Sequence, residues 1–233
     1  MAIEAVLFDW GGTLTPWQLP DDKLWWRVAA QLVAADEVER VAAAMFAAEK
    51  AIWLRARDEH RSGAMAEIFA AGGLADHDLA YRVIEAEMAR FTVTDPQAAP
   101  MLRGLRELGI RVGVLSNTTW TRAHHERIFA RDGVLDLIDG AVYTSEIGYT
   151  KPHAEAFTAA MAAVGATDPG RCVFVGDRLF DDIHGAASAG MRTVFVPHSN
   201  IPDRQRGHTD GNPDATIQQL SDLLPVVRSW SNG

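Results

Sequence analysis

The sequence is poor in cysteine and has no excess of positive charge, and both shortages narrow what the protein can be. Cys172 is the only cysteine among 233 residues, so no internal disulfide can form. Acidic residues outnumber basic ones by 31 to 22, and no basic run is long enough to follow a phosphate backbone. We therefore expect no nucleic-acid partner. Histidine and cysteine spacings typical of zinc sites are also missing.

Long apolar runs are absent as well. The first residues, MAIEAVLFD, lack the basic stretch, the apolar stretch and the small-residue cleavage site of a signal peptide. No run approaches the roughly 20 apolar residues that a membrane-spanning helix needs. These features predict a cytoplasmic protein with no membrane partner, either a monomer or a homodimer.

Short runs rich in Val, Ile, Leu and Phe recur along the chain, with helical patterns between them. The runs are continuous rather than alternating, which is typical of strands covered on both faces. We predict strands at 5–10, 110–116, 141–144, 171–176 and 192–197. Helices predicted at 101–109 and 153–165 each end at a glycine. This alternation predicts an α/β fold with a doubly wound, mostly parallel, Rossmann-like sheet.

One interval, residues 16–94, contains no convincing strand. Helical patterns occupy 22–35, 38–57 and 79–91, and two prolines in TDPQAAP mark the return to the strand–helix alternation. We predict an α/β core domain of residues 1–15 and 95–233 and an all-helical subdomain of residues 16–94. Tryptophans at positions 17, 25, 26 and 53 are expected mainly to pack these helices, with Trp17 the best candidate to line a pocket.

Chemically useful side chains follow several of the predicted strands. Asp9, Ser116 and Asp177 end the first, second and fourth strands, and Lys151 follows the third. Parallel strands bring their carboxyl ends to one edge of a sheet, where ligands bind. Two carboxylates can hold a hard cation such as Mg²⁺, and a serine and a lysine can bind phosphoryl oxygens. A carboxylate can also attack phosphorus, and the GGTL turn offers backbone amides to an anion.

These motifs together resemble those of the haloacid dehalogenase superfamily, whose members are mostly phosphatases. FDWGGTL resembles the first family motif, VLSN the second, KPHAEAF the third and GDRLFDDIHGAASAGM the fourth, in the family's order and spacing. The inserted helical segment resembles the family's cap, and PDATIQQLSDL resembles its final short strand and helix. The resemblance covers nearly the whole chain.

The resemblance implies a Mg²⁺-dependent hydrolase of small phosphorylated metabolites that works through an aspartyl-phosphate. The implied catalytic residues are Asp9, Ser116 and Lys151. The implied phosphate-binding residues are Gly12, Thr13 and Asn117. The implied metal ligands are Asp9, the backbone oxygen of Gly11, Asp177 and Asp182, the last either as a direct ligand or behind the others.

Gly11 departs from the family pattern. Family phosphatases usually carry an aspartate there, which protonates the leaving group and contributes about 10²–10⁴-fold through acid–base catalysis. Glycine keeps the backbone oxygen for the metal and removes the proton carrier. A metal-bound water, His153, His184 or an acid of the inserted segment could supply the proton, and a substrate with a good leaving group needs none.

Three other functions stay open at this point. The dehalogenase branch of the family also replaces the second acid, but it uses no metal and does not need the GDxxxxD pattern, which is intact here. Cleavage of phosphonates is a related alternative. The fold could also serve as a non-catalytic binding protein, although drift need not have spared all of Asp9, Ser116, Lys151 and Asp177. His124 and His125, in a helical pattern after the second strand, are expected at the surface rather than at a metal.

Overall fold

The computed structural model describes residues 2–16, 18, 23–197 and 210–231. Within these residues, six strands form one parallel sheet in the order β3-β2-β1-β4-β5-β6. The strands are β1 (Ala5–Phe8), β2 (Arg111–Ser116), β3 (Gly140–Tyr143), β4 (Cys172–Gly176), β5 (Arg192–Phe195) and β6 (Ala215–Thr216). The order reverses direction at β1, as in doubly wound Rossmann-like sheets, which confirms the predicted fold class.

Helices connect the strands and cover the sheet. They are α1 (Leu24–Ala30), α2 (Val38–Glu59), α3 (Met65–Gly72), α4 (His77–Met88), α5 (Ala98–Glu107), α6 (Arg122–Arg131), α7 (Ala154–Ala163), α8 (Gly185–Ser188) and α9 (Leu223–Ser231). A π-helical segment, Leu179–His184, leads directly into α8. In the described part of the chain, no helix combines the length and the apolarity needed to cross a bilayer.

The core lies on both faces of the sheet. Val6 and Phe8 of β1 belong to the apolar cluster on one face, whereas Ala5 and Leu7 belong to the cluster on the other, with Phe157 of α7. Successive residues of a strand point to opposite faces, so a strand covered on both sides needs apolar residues throughout. This explains the continuous apolar runs in the sequence.

The central strands are in register, and this places the residues that follow them. Phe8 lies opposite Val114 of β2 and Val175 of β4. The backbone N–H of Asp9 donates to the carbonyl of Val175 at 2.9 Å, which extends the ladder by one residue. Side chains that follow β1, β2 and β4 therefore meet at one edge.

Helices α1–α4, which we call the inserted helices, lie between β1 and α5 in the chain. They share an apolar cluster of their own that includes Trp26, Met45, Phe69 and Ile84. The helical pattern at 38–57 corresponds closely to α2, whereas α1 is shorter than predicted. The helix α3 lies where the sequence analysis predicts no helix. Residues 19–22, at the expected start of the first helix, lie outside the described residues, as does Trp17.

The inserted helices contact the rest of the chain on one side through α4 and α6. Oε1 of Glu85 lies 3.1 Å from Nδ1 of His124 and also accepts a hydrogen bond from Arg127. The guanidinium of Arg131 donates to the carbonyls of Ala89 at 3.0 Å and Thr92 at 2.5 Å. These bonds fix the end of α4 against α6.

On the other side, the connection between α2 and α3 contacts the segment that follows β3. The backbone N–H of Thr150 donates to the carbonyl of His60 at 3.0 Å. Ser62 bonds the same segment twice, through its hydroxyl to the carbonyl of Ile147 and through its N–H to the carbonyl of Gly148. The N–H of Met65 in α3 also donates to the carbonyl of Thr119, after β2, at 2.9 Å. The inserted helices are therefore bonded to the rest of the chain at several separate places.

The expectation that His124 and His125 lie at the surface was wrong. They are 2% and 0% exposed, because α6 turns both rings towards Trp10. The His125 ring stacks on Tyr143 at 4.3 Å and meets Trp10 edge-on at 4.5 Å. Burial lowers the pKa of His125 to about 3, so the ring is neutral and packs as an aromatic. Its Nδ1–H donates to the carbonyl of Thr121 at 3.0 Å.

Candidate active site

Three carboxylates meet at the carboxyl edge of the sheet. Asp9 follows β1, Asp177 follows β4, and Asp182 lies in the π-helical segment after it. Each offers an oxygen, and these oxygens all lie within 4.8 Å of one another. All three residues are buried. Buried carboxylates at this spacing repel one another unless positive charge lies between them.

Lys151 supplies part of that positive charge. Its Nζ donates to Oδ1 of Asp9 at 2.6 Å and to Oδ1 of Asp182 at 2.7 Å, and the side chain is 2% exposed. Burial pulls the pKa of Lys151 down, but the charges of Asp182 and Asp9 more than offset this, and the net pKa is raised. The lysine therefore remains an ammonium that bridges two carboxylates.

One ammonium does not fully compensate Asp9. Burial raises the pKa of Asp9 to about 6; Lys151 opposes the shift, and the negative charge of Asp182 adds to it. A divalent cation beside the carboxylates would favour their ionised form. The donors are hard oxygens, the kind that Mg²⁺ and Ca²⁺ prefer. The residues present thus fit a metal ion, and the cluster could hold one.

Asp182 is fixed by the backbone around it. Its Oδ2 accepts from the N–H of Arg178 at 2.9 Å, while Oδ1 accepts from Lys151. A Cβ at Gly176 would lie 2.3 Å from this carboxylate, so the approach requires glycine. With one protein donor on each oxygen, Asp182 is well placed to orient Lys151.

Asn117 lines the cavity, and its side-chain amide binds the backbone of Lys151. Its Oδ1 accepts from the backbone N–H of Lys151 at 2.8 Å, and its Nδ2 donates to the carbonyl of the same residue at 3.0 Å. Both polar ends of the amide are therefore used to hold the lysine's backbone. This contact differs from the phosphate contact predicted for Asn117, and it links the end of β2 to the segment after β3.

The turn after Asp9 is only partly exposed to the site. Gly11 lines the cavity described below, whereas Gly12 and Thr13 do not. Gly12 has φ 92° and its N–H donates to the carbonyl of Thr15 at 2.7 Å, so this amide closes the turn. Thr13 is completely buried. The phosphate contacts predicted for Gly12 and Thr13 thus gain no support from the cavity wall.

A cavity of about 90 Å³ lies between the sheet edge and the inserted helices. Its charged and polar lining residues, which we call the charged end, include Asp9, Ser116, Asn117, Lys151, Arg178 and Asp181. Its aromatic lining residues, which we call the aromatic end, are Trp10, Trp25, Trp26, Trp53, Phe91 and Trp120. The two sets adjoin, since Trp53 also lines a smaller pocket with Asn117, Lys151 and Arg178. The structure therefore brings Asp9, Ser116 and Lys151 together as predicted and adds a wall of aromatic rings.

The sequence interpretation missed two charged residues in this lining. Arg178 lies next to Asp177, and its Nη1 is 3.5 Å from Oδ2 of Asp181. Burial opposes its charge, but the carboxylates of Asp177 and Asp181 raise the pKa of Arg178 above its ordinary value. Its position directly after a strand end was the signal that could have identified it.

Glu49 of α2 is the second missed residue. It is 8% exposed and lines the cavity. Its Oε2 accepts from the indole Nε1 of Trp26 at 3.1 Å, and its Oε1 accepts from that of Trp53 at 3.3 Å. A glutamate in an alanine-rich helix normally faces solvent, so the sequence held no signal for this role.

Neither histidine named as a proton carrier lines the cavity. Nδ1 of His153 accepts from the N–H of Glu155 at 3.3 Å at the start of α7, and the ring stacks on Tyr149 at 3.9 Å. The His184 ring stacks on Phe180 at 5.0 Å. Both rings thus have packing roles in this structure.

The motifs and the fold agree with one family. The sequence profile of the haloacid dehalogenase-like hydrolases matches residues 3–190. The chain belongs to the haloacid dehalogenase-like hydrolases. This confirms the resemblance seen in the sequence and explains why the four motifs converge at one sheet edge.

Named relatives of this haloacid dehalogenase-like chain include phosphatases. A glyceraldehyde 3-phosphate phosphatase of Methanopyrus kandleri is 35% identical over 133 residues, which span 57% of this chain and 56% of that protein. A ribulose-1,5-bisphosphate 5-phosphatase of Halopiger xanaduensis is 31% identical over 138 residues, again 57% and 56%. The match thus spans little more than half the length of these relatives.

Solved structures of the haloacid dehalogenase-like fold superpose over nearly the whole chain. A HAD phosphatase from Thermococcus onnurineus and an L-2-haloacid dehalogenase from Xanthobacter autotrophicus each give a TM-score of 0.64. Each is 21% identical and covers 97% of this chain and 98% of its own. The fold is therefore shared by enzymes with two different chemistries.

Proposed function

We propose that the protein is a Mg²⁺-dependent phosphatase of small phosphorylated molecules. The observation that carries the proposal is the arrangement of Asp9, Lys151 and Asp182 beside Asp177, at the charged end of the cavity. An ammonium and a cation-binding cluster placed around one carboxylate suit a nucleophile that must approach an anionic phosphate. The phosphatase names of several relatives agree with this chemistry.

Asp9 acts as the nucleophile in the proposed reaction. One of its oxygens forms a bond to phosphorus while the ester P–O bond breaks, and the bonding pair leaves with the ester oxygen. Water then attacks phosphorus, which releases inorganic phosphate and regenerates the Asp9 carboxylate. Lys151 and Ser116 hold the phosphoryl oxygens during both steps, and Arg178 adds positive charge at the same end.

Asp9, Asp177 and the backbone oxygen of Gly11 would hold the metal ion, with Asp182 behind them. When bound, the cation supplies the positive charge that offsets repulsion between the Asp9 carboxylate and the substrate phosphate. Asp182 orients Lys151 in this arrangement, in line with its two hydrogen bonds.

The inserted helices form the cap in this proposal, with residues 16–94 as the cap and residues 1–15 and 95–233 as the core. Their own apolar cluster supports this division, and they contribute Trp25, Trp26 and Trp53 to the cavity wall. A closed cap excludes water from the aspartyl-phosphate and selects the leaving group. Without an acid at Gly11, we expect low turnover or a preference for acidic leaving groups.

The main alternative within the family is carbon–halogen cleavage. Asp177 and Asp182, placed beside Asp9, favour the phosphatase proposal, because the three clustered carboxylates fit a cation and the dehalogenase branch of the family uses none. Metal-independent halide release from 2-haloacids would support that alternative instead.

The proposal is tested by measuring phosphate release from p-nitrophenyl phosphate and a panel of phosphate monoesters, with Mg²⁺ or with EDTA. We expect activity that requires the metal and falls at least about 10³-fold in Asp9→Asn. Asp36→Asn, a change at an exposed aspartate of the inserted segment, is the matched control and should keep full activity. Full activity in EDTA, or in folded Asp9→Asn, would contradict the proposal.

A further inference from the structure

We propose that the aromatic end of the cavity binds an aromatic ring that carries the ester oxygen, so that the substrates are aryl phosphate monoesters. The inference rests on the proposed function and names the class of leaving group. Two independent observations lead to it: the rings that line the aromatic end, and the absence of an acid at the position of Gly11.

The rings of the aromatic end are held in fixed orientations. Glu49 accepts hydrogen bonds from the indoles of both Trp26 and Trp53, which ties α1 to α2. Trp120 stacks on the buried ring of His124 at 4.3 Å with an angle of 22°. Rings whose orientation is already fixed lose little freedom on binding, and aromatic pairs gain from edge-to-face or offset contact. Such a wall suits a flat ring.

The same wall suits a hydroxyl-rich leaving group poorly. Two of its threonine side chains already have partners: the hydroxyl of Thr92 donates to the carbonyl of Met88 at 3.1 Å, and that of Thr118 accepts from the N–H of Trp120 at 3.0 Å. The hydroxyl of Thr15 and the indole N–H of Trp10, which also line the cavity, are buried without a partner. A sugar or triose carries several hydroxyl groups, and these two polar groups would replace only part of the hydrogen bonds that it makes to water. An aryl group has no such loss.

The charged end favours the same class of leaving group, for a reason that concerns the breaking of the ester P–O bond. Gly11 carries no proton to the leaving oxygen. Of the other carboxylates lining the cavity, Glu49 holds two indoles, and Asp181 lies 3.5 Å from the guanidinium of Arg178. Burial raises the pKa of Asp181 although Arg178 opposes the shift. An alkoxide leaves slowly without a proton, whereas a phenolate, whose conjugate acid has a pKa of about 10, leaves far more easily.

The proposed step balances without an acid. As the bond from Asp9 to phosphorus forms, the bond from phosphorus to the aryl oxygen breaks, and its electron pair delocalises into the ring. The phenolate then takes a proton from water after release. The ring bound by the tryptophans is thus the same group that makes the leaving oxygen stable.

Four substrates test separately whether the rate depends on the aromatic ring or on the acidity of the leaving group. Phenyl phosphate has both; hexafluoroisopropyl phosphate has an alcohol of similar acidity and no ring; benzyl phosphate has a ring and a weakly acidic alcohol; propyl phosphate has neither. We expect kcat/KM for phenyl phosphate to exceed that of each of the others by at least about tenfold. Equal values for the phenyl and hexafluoroisopropyl esters, or for the phenyl and benzyl esters, would overturn the inference. Phosphocholine as the best substrate would overturn it in favour of a cation-binding cage.

Two matched tryptophan variants test the wall itself. Trp53→Leu removes a half-buried ring of the aromatic end, and Trp230→Leu removes a half-buried ring of α9 that does not line the cavity. We expect Trp53→Leu to lower the ratio of kcat/KM for phenyl over hexafluoroisopropyl phosphate about tenfold, and Trp230→Leu to leave this ratio as it is. An equal ratio in both variants would count against the wall.

Binding of phosphonates separates failure of this inference from failure of the proposed function. Phenylphosphonate and propylphosphonate contain no ester bond, and an assay for free phosphate after the titration shows whether their P–C bond is intact. Where it is, calorimetric titration of the Mg²⁺-loaded protein reports binding alone. If no ester is hydrolysed but phenylphosphonate binds at least about tenfold tighter than propylphosphonate, and Trp53→Leu removes the difference, the ring site stands without the phosphatase activity. Equal binding of the two phosphonates overturns the ring site.

Discussion

The two ends of the cavity are held in place in different ways. At the charged end, Asp9 follows a strand directly, and Lys151 is held by its backbone through Asn117. At the aromatic end, rings on separate helices are held by side chains, as Glu49 holds the indoles of Trp26 and Trp53. Backbone pairing thus positions the reacting groups, and side-chain packing shapes the pocket.

This difference follows from what each end must do. Charge interactions depend steeply on distance in a buried site, so the charged end gains from rigid strands in register. Contacts with a leaving group depend on shape, which helices outside the sheet can supply in many forms. A family that keeps one chemistry while its substrates change would preserve the charged end and vary the aromatic end.

The largest effect is expected at the charged end, from Lys151→Met. The variant leaves two buried carboxylates, Asp9 and Asp182, without their shared ammonium, so we expect the free energy of unfolding in EDTA to fall by about 3 kcal/mol or more. Mg²⁺ should restore part of the loss, because a cation replaces the missing charge. Urea unfolding with and without Mg²⁺ measures both effects, and the exposed Lys50→Met is the control. Equal stability of the variant and the unchanged protein in EDTA would contradict this account of the charged end.

A smaller effect is expected from returning an acid to the charged end. Gly11, unlike Gly12, has a φ outside the left-handed region, so its backbone accepts an aspartate. Gly11→Asp should raise kcat/KM for propyl phosphate about 10²-fold and change that for phenyl phosphate less than about threefold. Gly11→Asn has nearly the same shape and no transferable acidic proton, so it is the matched control. The same gain in both variants would show that proton transfer is not what Gly11 lacks.

The smallest effect concerns the buried ring of His125, which meets Trp10 edge-on. His125 has a pKa of about 3 in the folded protein against its ordinary value of 6.5, so the unfolded chain binds an extra proton between these values. Stability therefore falls as the pH drops below 6.5, by about 1.4 kcal/mol per pH unit from this residue. Urea unfolding at pH 7, 6 and 5 measures the slope. His125→Phe should flatten it and the exposed His184→Phe should not; an unchanged slope in His125→Phe would refute the assignment.

The charged end could largely be predicted from the sequence, because a parallel sheet converts position in the chain into position in space. Each of the five predicted strands is present, and the strand-end residues Asp9, Ser116 and Lys151 line one cavity. Arg178 was missed although it follows a strand end, because a basic residue next to an aspartate is usually a surface ion pair.

The aromatic end could not be predicted, because it depends on how separate helices pack. A helical pattern shows which residues face inward, but not which of them face a cavity and which face another helix. Glu49 and the buried pair His124 and His125 illustrate this limit, since polar residues on a helix are expected in solvent until a partner is known. Trp53 lay in the right segment, and only the fold places it beside Lys151.

The contact between the α2–α3 connection and residues 147–150 has a mechanical consequence. Ser62 and His60 bond the backbone immediately before Lys151, so the inserted helices and the Lys151 ammonium are joined through one short segment. Swinging the helices outward on this side has to break these bonds or pull on the segment that carries the lysine. A movement of the inserted helices on this side is therefore coupled to the position of the Lys151 ammonium.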